Sequence, residues 1–187
     1  NAYQKILLDF KEKRVDILVG TQMITKGLDF DNISIVAVLS ADRILFFPDF
    51  KANERAFQLF MQVSGRAGRR DKKGQVILQT FNPMHPVIRE TQEYDYKGFY
   101  NRELAERKRF LYPPFYRMIT ITVKHKKSEV AHDAANILAK KLKVKLSNRV
   151  VGPSVPGISR IRGYYIQQII VKMEKDRKLV ESIKRYI

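Results

Sequence analysis

The chain has 187 residues, 44% of them hydrophobic and 29% charged, so it is long enough to bury one ordinary core or two small ones. It contains no cysteine, which excludes disulfides and cysteine-based zinc sites in this span, and its three histidines are too scattered to indicate a metal cluster. No apolar run approaches the ~20 residues that a transmembrane helix needs, and no secretory pattern is present, so we expect a cytoplasmic protein.

The basic residues are concentrated in the second half of the chain. Lys and Arg number 36 against 19 Asp and Glu, a net charge of +17, which indicates a polyanionic partner such as nucleic acid or an anionic membrane. Residues 1–93 carry 14 basic and 11 acidic residues, a net +3, whereas residues 94–187 carry 22 and 8, a net +14. We therefore expect two functional halves. Because the chain starts with Asn1 inside a helical pattern, we also expect it to be part of a longer protein.

The first half has the hydrophobic pattern of an α/β domain. The spacing of apolar residues predicts a helix at 3–10, a buried strand at 15–20, a strand at 33–39, a helix at 52–63 and a strand at 75–80. The strand at 33–39 is nearly continuous in aliphatic residues, as expected for a parallel strand covered on both faces. Phe57, Phe60 and Met61 mark the core side of the second helix. The pattern predicts a doubly wound parallel sheet that lacks its beginning.

The second half predicts a small α+β domain behind a proline-containing connector. Pro83 and Pro86 close the sheet region, and a charged helix at 95–109 leads to Tyr112-Pro113-Pro114-Phe115, where any helix must stop. We place a domain boundary across residues 94–115, between a first domain at 1–93 and a basic one at 116–187. The predicted elements of the latter are strands at 117–125, 150–151 and 164–173 and helices at 128–146 and 175–187. That order is an incomplete split β-α-β, or ferredoxin-like, unit that lacks one further strand.

The stretch Gln62-Val63-Ser64-Gly65-Arg66-Ala67-Gly68-Arg69-Arg70 follows the predicted helix of the α/β sheet. Two guanidinium groups three residues apart on one helical turn project the same way, and each can meet a phosphate with a fork of N–H donors. Such a pair suits the charge that develops on a γ-phosphate, and Gln62 could orient water or touch that phosphate. The alternative is an RNA-binding or solvated basic turn, because residues 69–73 are a charged loop.

A second polar stretch, Gly20-Thr21-Gln22-Met23-Ile24-Thr25-Lys26-Gly27-Leu28-Asp29-Phe30, follows the first predicted strand at the carboxyl edge of the sheet. Ligands of open α/β sheets bind at that edge. Thr21 and neighbouring N–H groups could hold a phosphodiester, and Gly27 with Asp29 could approach a ribose or Mg²⁺-bound water. The alternative is helix capping, in which Thr21 and Asp29 satisfy backbone donors.

These motifs carry a resemblance to superfamily-two helicases, in which the second RecA-like lobe presents arginine fingers to ATP held by the first. Residues 62–69 resemble motif VI and residues 20–30 resemble motif V. With residues 47–55 and 111–115, the chain resembles the PriA, or primosomal protein N′, family over essentially its entire length. The resemblance implies a partial RecA-like lobe, with Arg66, Arg69 and Gln62 in catalysis, the residues Gly27, Asp29 and Gly65 at the nucleotide, and Thr21, Gln22 and Lys26 at DNA.

The family resemblance further implies an ATP-dependent 3′-to-5′ DNA helicase that acts at stalled forks and starts primosome assembly. Neither a G-x-x-x-x-G-K-[ST] loop nor a D-E-x-H box occurs here, so this chain alone should not hydrolyse ATP. ATP and Mg²⁺ would be bound mainly by the first lobe, and the family's zinc would also lie outside this segment. The implied partners are branched and single-stranded DNA, other primosomal proteins and the acidic tail of single-stranded DNA-binding protein, with no membrane.

Two features of the basic half indicate nucleic-acid binding. Lys140, Lys141, Lys143 and Lys145 share the long predicted helix, where a solvated face is the more ordinary explanation. Arg160-Ile161-Arg162-Gly163-Tyr164-Tyr165 predicts a flexible basic loop that reaches phosphates, followed by aromatic rings that could stack on unpaired bases. Because Tyr164 and Tyr165 alternate on a strand, we expect at least one in the core. Arg177 and Lys178 are candidates for the acidic tail.

Glu54 and Arg55, which follow Asp49, are expected to be structural, as a helical ion pair or cap.

A different class of function is also open, namely a stand-alone DNA- or RNA-binding module built on the basic half, without catalysis. A Walker lysine, an acidic box and paired cysteines upstream of Asn1 would favour the helicase, and their absence would favour the module.

Overall fold

The structure is a computed structural model in which residues 2–21, 33–65 and 74–174 are described. The chain divides into two compact units, residues 1–99 and residues 100–187. The division falls within the helix Tyr96–Arg109.

The first unit contains a two-stranded parallel sheet and several helices. Strand β1 (Ile35–Val38) pairs with β2 (Gln75–Leu78), and the register runs from Ile35 opposite Gln75 to Val38 opposite Leu78. The helices predicted at 3–10 and 52–63 and the strands predicted at 33–39 and 75–80 are confirmed, with shorter strands than expected. The elements are α1 (Ala2–Lys11), β1 (Ile35–Val38), α2 (Asp42–Leu45), α3 (Ala52–Ser64), β2 (Gln75–Leu78), α4 (Pro86–Gln92) and the start of α5 (Tyr96–Arg109).

Helix α3 supplies more buried apolar side chains to this unit than any other described element does. Its apolar side chains recur every three or four residues, so Phe57 and Phe60 lie on one face, only 4% and 0% exposed. The Phe57 ring stacks on that of Phe99 with centroids 4.1 Å apart. Each buried side chain of this size contributes about 1.5–3 kcal/mol relative to an exposed one. The cluster also contains Ala41, Leu45, Ala56, Val87 and Ile88, with Met61 packed against it and only half-buried.

The predicted buried strand at 15–20 is wrong. These residues carry no strand pairing, and Ile17 and Val19 are 76% and 82% exposed. A parallel strand is held by its neighbours on both sides, and in the described residues the sheet consists of β1 and β2 alone. Coverage of β1 on both faces is wrong as well, since burial alternates along both strands and Ile35 and Ile77 are about half exposed.

Helix α4 was not predicted, because its proline was interpreted as the close of the sheet region. Pro86 lies in the first turn, where its missing N–H costs no helical hydrogen bond, and the His85 side chain accepts a hydrogen bond from the backbone N–H of Val87. The hydroxyl of Thr91, which is buried, donates 2.7 Å to the carbonyl of Val87. Proline directly after a capping side chain was therefore a start signal that the prediction missed.

The second unit is an antiparallel sheet packed on one long helix. Its strand order is β3 (Arg117–His125), β6 (Tyr164–Met173) and β4 (Val150–Ser154), with β5 (Arg160–Ile161) also paired to β6. Strands β3 and β4 thus flank β6, which is antiparallel to both, as in a split β-α-β unit. Because the helix predicted at 175–187 lies outside the described residues, the ferredoxin-like assignment stays a prediction. The elements are the end of α5, β3 (Arg117–His125), α6 (Ser128–Leu146), a 3₁₀ turn (Ser147–Arg149), β4 (Val150–Ser154), β5 (Arg160–Ile161) and β6 (Tyr164–Met173).

Small residues let α6 approach the sheet closely. Ala131, Ala135 and Ala139 follow one another at four-residue spacing and are 0%, 0% and 2% exposed. They face the central strand, whose Ile169 and Val171 are fully buried, and Leu142 and Leu146 extend the same face. The structure confirms the strands predicted at 117–125, 150–151 and 164–173 and the helix predicted at 128–146.

Lys172 of β6 contacts the connector through a hydrogen bond and an aromatic ring. Helix α5 ends at Arg109, as the two prolines predicted. Beyond it, the Lys172 ammonium donates 2.8 Å to the carbonyl of Phe110 and lies 3.8 Å from the centroid of the Tyr112 ring. A cation over an aromatic ring contributes ~0.5–2 kcal/mol, so Lys172 has a structural task within the second unit.

Candidate functional site

The described part of the arginine-rich motif lies at the end of α3. Gln62 is exposed on the last turn, and Gly65 closes the helix with its N–H donating 3.1 Å to the carbonyl of Met61. The buried side chains of Phe60 and Val63 hold that turn in place. Helix α3 thus positions the residue from which the motif continues. The two predicted finger residues, Arg66 and Arg69, lie outside the described residues.

Gly65 has no conformational need for glycine within its own unit. Its φ is −73°, and a Cβ there would meet the carbonyl oxygens of Met61 and Gln62 at 3.7 and 3.8 Å, which is ordinary van der Waals contact. The nucleotide contact that the family resemblance implies for Gly65 stays a prediction.

Asp49 organises the entry into α3. One of its carboxylate oxygens accepts 3.0 Å from the backbone N–H of Lys51, and the other accepts from the Arg55 guanidinium. Glu54 accepts a long hydrogen bond of 3.4 Å from Gln58, one turn further along the helix. The structural role expected for Arg55 is confirmed. Because Arg55 is half exposed, such an ion pair contributes only ~0.2–1 kcal/mol.

The carboxyl edge of the sheet contains an acid that the sequence analysis did not single out. Asp42 accepts 2.8 Å from the Thr80 hydroxyl with one oxygen and 3.0 Å from the backbone N–H of Phe81 with the other. The Thr80 hydrogen bond, aided by that from Phe81, lowers the pKa of Asp42 below its usual range against a smaller opposing effect of burial. With one hydrogen bond on each oxygen, Asp42 ties the segments after β1 and β2 together.

Of the residues that the second motif predicts to bind DNA or nucleotide, Thr21 alone is among the described residues. It is exposed and carries no secondary structure, so the sheet-edge position expected for it is not found, because the strand predicted before it does not form. The other residues predicted from this motif, Gln22, Lys26, Gly27 and Asp29, lie outside the described residues.

The basic stretch of the second unit is a tight hairpin and not the flexible loop that was predicted. Ile161 pairs with Tyr164, which leaves Arg162 and Gly163 as a two-residue turn. Both turn residues have positive φ, 50° and 83°, the combination that a type I′ hairpin turn requires. The register of the strands therefore fixes where the side chains of this hairpin point.

In the hairpin, Arg160 and Tyr164, two of the predicted DNA contacts, lie on opposite faces of the sheet. Cross-strand partners share a face, so Arg160 lies with Tyr165 and Ile161 lies with Tyr164. The Arg160 guanidinium stands 4.9 Å from the centroid of the Tyr165 ring. Tyr164 is 41% exposed, and Arg162 is exposed at the tip. Arg160 and Arg162 thus both lie exposed in one hairpin.

The candidate lysines of the long helix are also on the surface. Along α6, the four lysines at 140, 141, 143 and 145 are exposed. Arg177 and Lys178 lie outside the described residues.

Within residues 2–21, 33–65 and 74–174, no group of three or more His, Cys, Asp or Glu side chains could hold a metal ion. Across the same described ranges, every helix is too short or too polar to cross a membrane.

Both units match known families. Residues 1–71 match the family described as Helicase conserved C-terminal domain, and residues 108–187 match the one described as Primosomal protein N C-terminal domain. Replication restart protein PriA of Bacillus subtilis is 43% identical over 188 aligned positions, which cover 100% of this chain and 23% of the relative. The chain belongs to the PriA family. PriA of Synechocystis is 38% identical over 187 positions, or 98% of this chain and 22% of the relative.

The PriA matches are those of a C-terminal portion. Replication restart protein PriA of Treponema pallidum is 40% identical over 171 positions, covering 90% of this chain and 26% of the relative. The chain therefore spans about a quarter of the length of these PriA relatives. The family match extends through both units, including residues 20–30 and 62–69, on which the resemblance to PriA was based.

Proposed function

We propose that this chain is the C-terminal part of an ATP-dependent 3′-to-5′ DNA helicase that acts at stalled replication forks and starts primosome assembly. The observation that carries the proposal is the junction at Gly65. The helicase family match covers residues 1–71, and the described start of the motif, residues 62–65, lies at the end of a helix anchored in the core by Phe60 and Val63. ATP and Mg²⁺ are bound mainly by another lobe of the longer protein, and zinc also binds outside this segment.

In this proposal the first unit is a partial RecA-like lobe that completes a nucleotide site. Arg66 and Arg69 stabilise the charge on the transferred phosphoryl group, and Gln62 positions water or phosphate beside them. Gly27, Asp29 and Gly65 contact the nucleotide, while Thr21, Gln22 and Lys26 contact DNA. Support comes from the residue types and their spacing, and from the solvent exposure of Gln62 at the helix end.

The second unit contributes DNA contacts. Residues 94–187 carry a net +14, and the hairpin places Arg160, Arg162 and Tyr164 at the surface. We assign residues 1–93 to the lobe, 94–115 to the connector and 116–187 to a ferredoxin-like DNA-binding domain in the cytoplasm. Its partners are branched and single-stranded DNA, other primosomal proteins and the acidic tail of single-stranded DNA-binding protein. A stand-alone binding module is disfavoured, because the PriA matches cover the first unit as well.

Unwinding polarity tests the motor part of the proposal. The longer protein should unwind a duplex from a 3′ single-stranded tail and not from a 5′ tail, and Arg69→Ala should abolish unwinding. Arg70→Ala, which changes the neighbouring arginine outside the motif spacing, should unwind normally. Unwinding from a 5′ tail, or unchanged unwinding by Arg69→Ala, would count against the proposal.

Salt dependence tests the DNA-binding part. Removing both Arg160 and Arg162 should flatten the slope of log affinity against log salt by ~0.7–0.9 for each lost phosphate contact. The matched control is Arg149→Ala, because the Arg149 guanidinium is already engaged at 3.0 and 2.9 Å by the Glu174 carboxylate. Equal slopes for the double variant and the wild-type chain would remove the hairpin from the DNA-binding surface.

A further inference from the structure

Three side chains form a row across the sheet at the base of the β5–β6 hairpin. Tyr165 lies in the middle of the row, with Arg160 directly opposite on one side and His125 directly opposite on the other. Directly paired residues of neighbouring strands project from the same face, ~4.5–5.5 Å apart. Arg160, Tyr165 and His125, here called the clamp row, thus project together, on the face opposite to that of Tyr164.

The aromatic ring orients the guanidinium. Arg160 stands 4.9 Å from the Tyr165 centroid, within the range of a cation–π contact. A guanidinium that rests on a ring keeps its N–H edge available for a bidentate bond to an oxyanion, and its planar fork loses little freedom when it binds. Among the described residues, no carboxylate forms an ion pair with Arg160.

The imidazole at the other end of the row supplies a second donor. The Nδ1 atom of His125 lies 3.0 Å from the backbone nitrogen of Lys127 and 3.3 Å from its carbonyl oxygen. When Nδ1 accepts from the Lys127 N–H, the shorter of the two contacts, the neutral ring carries its proton on Nε2 and that atom is a donor. In that tautomer the row presents N–H donors on both sides of a tyrosine, and among its three members it carries no acidic group.

We propose that the clamp row is a phosphate clamp, in which Arg160 and His125 grip a DNA backbone phosphate and Tyr165 is the positioning residue for Arg160. The proposal rests on the DNA-binding role of the second unit. A phosphodiester is favoured over an acidic peptide because residues 94–187 carry a net +14, which suits the regularly repeated charge of a nucleic acid. It adds Tyr165 and His125 to the hairpin residues that the sequence analysis had named, which are Arg160, Arg162 and Tyr164.

A double-mutant cycle on the full chain tests the clamp, with fluorescence anisotropy of labelled oligothymidylate measured across a salt series. Arg160→Ala should lower the affinity several-fold and flatten the salt slope by ~0.7. Tyr165→Leu should lower the affinity in the wild-type background and have no further effect in the Arg160→Ala background, because the ring acts through the arginine. Tyr165→Phe should restore binding. Tyr100→Leu, which changes a half-exposed tyrosine of α5, should leave the affinity and the salt slope unchanged.

The outcomes separate the clamp from the function on which it rests. If Tyr165→Leu costs the same affinity with and without Arg160, or if Arg160→Ala leaves the DNA salt slope unchanged, the clamp is wrong while DNA binding by the unit stands. If these variants weaken binding of a labelled acidic peptide and spare the DNA, the occupant is a peptide and the proposal is overturned. If the wild-type chain binds no oligothymidylate, both the clamp and the DNA-binding role fail.

Discussion

Thr80 donates a hydrogen bond of 2.8 Å to Asp42, a residue 38 positions earlier in the chain, and so joins the segments that follow the two parallel strands. The carboxylate of Asp42 also accepts from the backbone N–H of Phe81. Charged acceptors make stronger hydrogen bonds than neutral ones, so Asp42 reinforces the backbone hydrogen bonds that Gln79 makes with Val38 and Ala41 at the same edge.

The pKa of Asp42 should depend on Thr80. Replacing Thr80 with Val keeps the shape and removes the donor, so the pKa of Asp42 should rise toward its ordinary value of 3.8. Because the folded-state pKa is depressed, the stability contributed by Asp42 is present above that ordinary value and is lost as the pH falls through the lower folded value. Thr80→Val should therefore be less stable than wild type at neutral pH, with a difference that shrinks in acid.

Carboxyl carbon NMR titration of Asp42 measures the shift directly, and urea unfolding at neutral and acidic pH measures its consequence. A suitable control is Thr120→Val, which replaces an exposed threonine of β3. An unchanged Asp42 pKa in Thr80→Val would show that the hydrogen bond does not hold the carboxyl in its charged form.

Truncation of the α3 core should be costly. Phe60 is fully buried, so Phe60→Ala should destabilise the first unit by about 3–5 kcal/mol through lost apolar contact and the cavity left behind. Phe81→Ala removes the same side chain from a position that is 100% exposed, and it should change stability by less than about 0.5 kcal/mol. Urea unfolding of both variants makes the comparison, and similar losses would mean that α3 does not anchor the core.

Two glycines should respond oppositely to alanine. Gly163 has a φ of +83°, which strains any residue with a Cβ, so Gly163→Ala should destabilise the hairpin by ~1–2 kcal/mol. Gly65→Ala should leave stability unchanged or slightly raised, because its φ of −73° suits alanine. Hydrogen exchange of the β5 and β6 amides reports on Gly163, and thermal unfolding reports on Gly65. A stable hairpin in Gly163→Ala would exclude the type I′ turn.

The long amphipathic elements were predictable because their patterns are local. Helix α6 and strand β6 carry periodic apolar residues over 19 and 10 positions, enough to define both the type of element and its buried face. The same reasoning failed for residues 15–20. An aliphatic run of strand length indicates burial only if neighbouring strands are there to bury it, and Ile17 and Val19 are largely exposed.

The candidate sites were predictable by residue type and not by contact. The sequence of the basic stretch indicated Arg160 and Arg162, but only the register shows that Arg160 pairs with Tyr165 and that the turn is tight. Asp42 was missed because its partners, Thr80 and Phe81, are distant in sequence. Gly163, which lies between Arg162 and Tyr164, was the available signal for a turn in this stretch.

DNA-stimulated ATP hydrolysis by the longer protein carrying Arg66→Ala is the most direct measurement of whether this chain completes a motor. An arginine that meets the transferred phosphoryl group should be worth a factor of about 10³–10⁵ in turnover, so hydrolysis should fall to background while nucleotide binding largely survives and Arg70→Ala remains active. Turnover retained by Arg66→Ala at the level of Arg70→Ala would contradict the arginine-finger role and, with it, the helicase interpretation of the first unit.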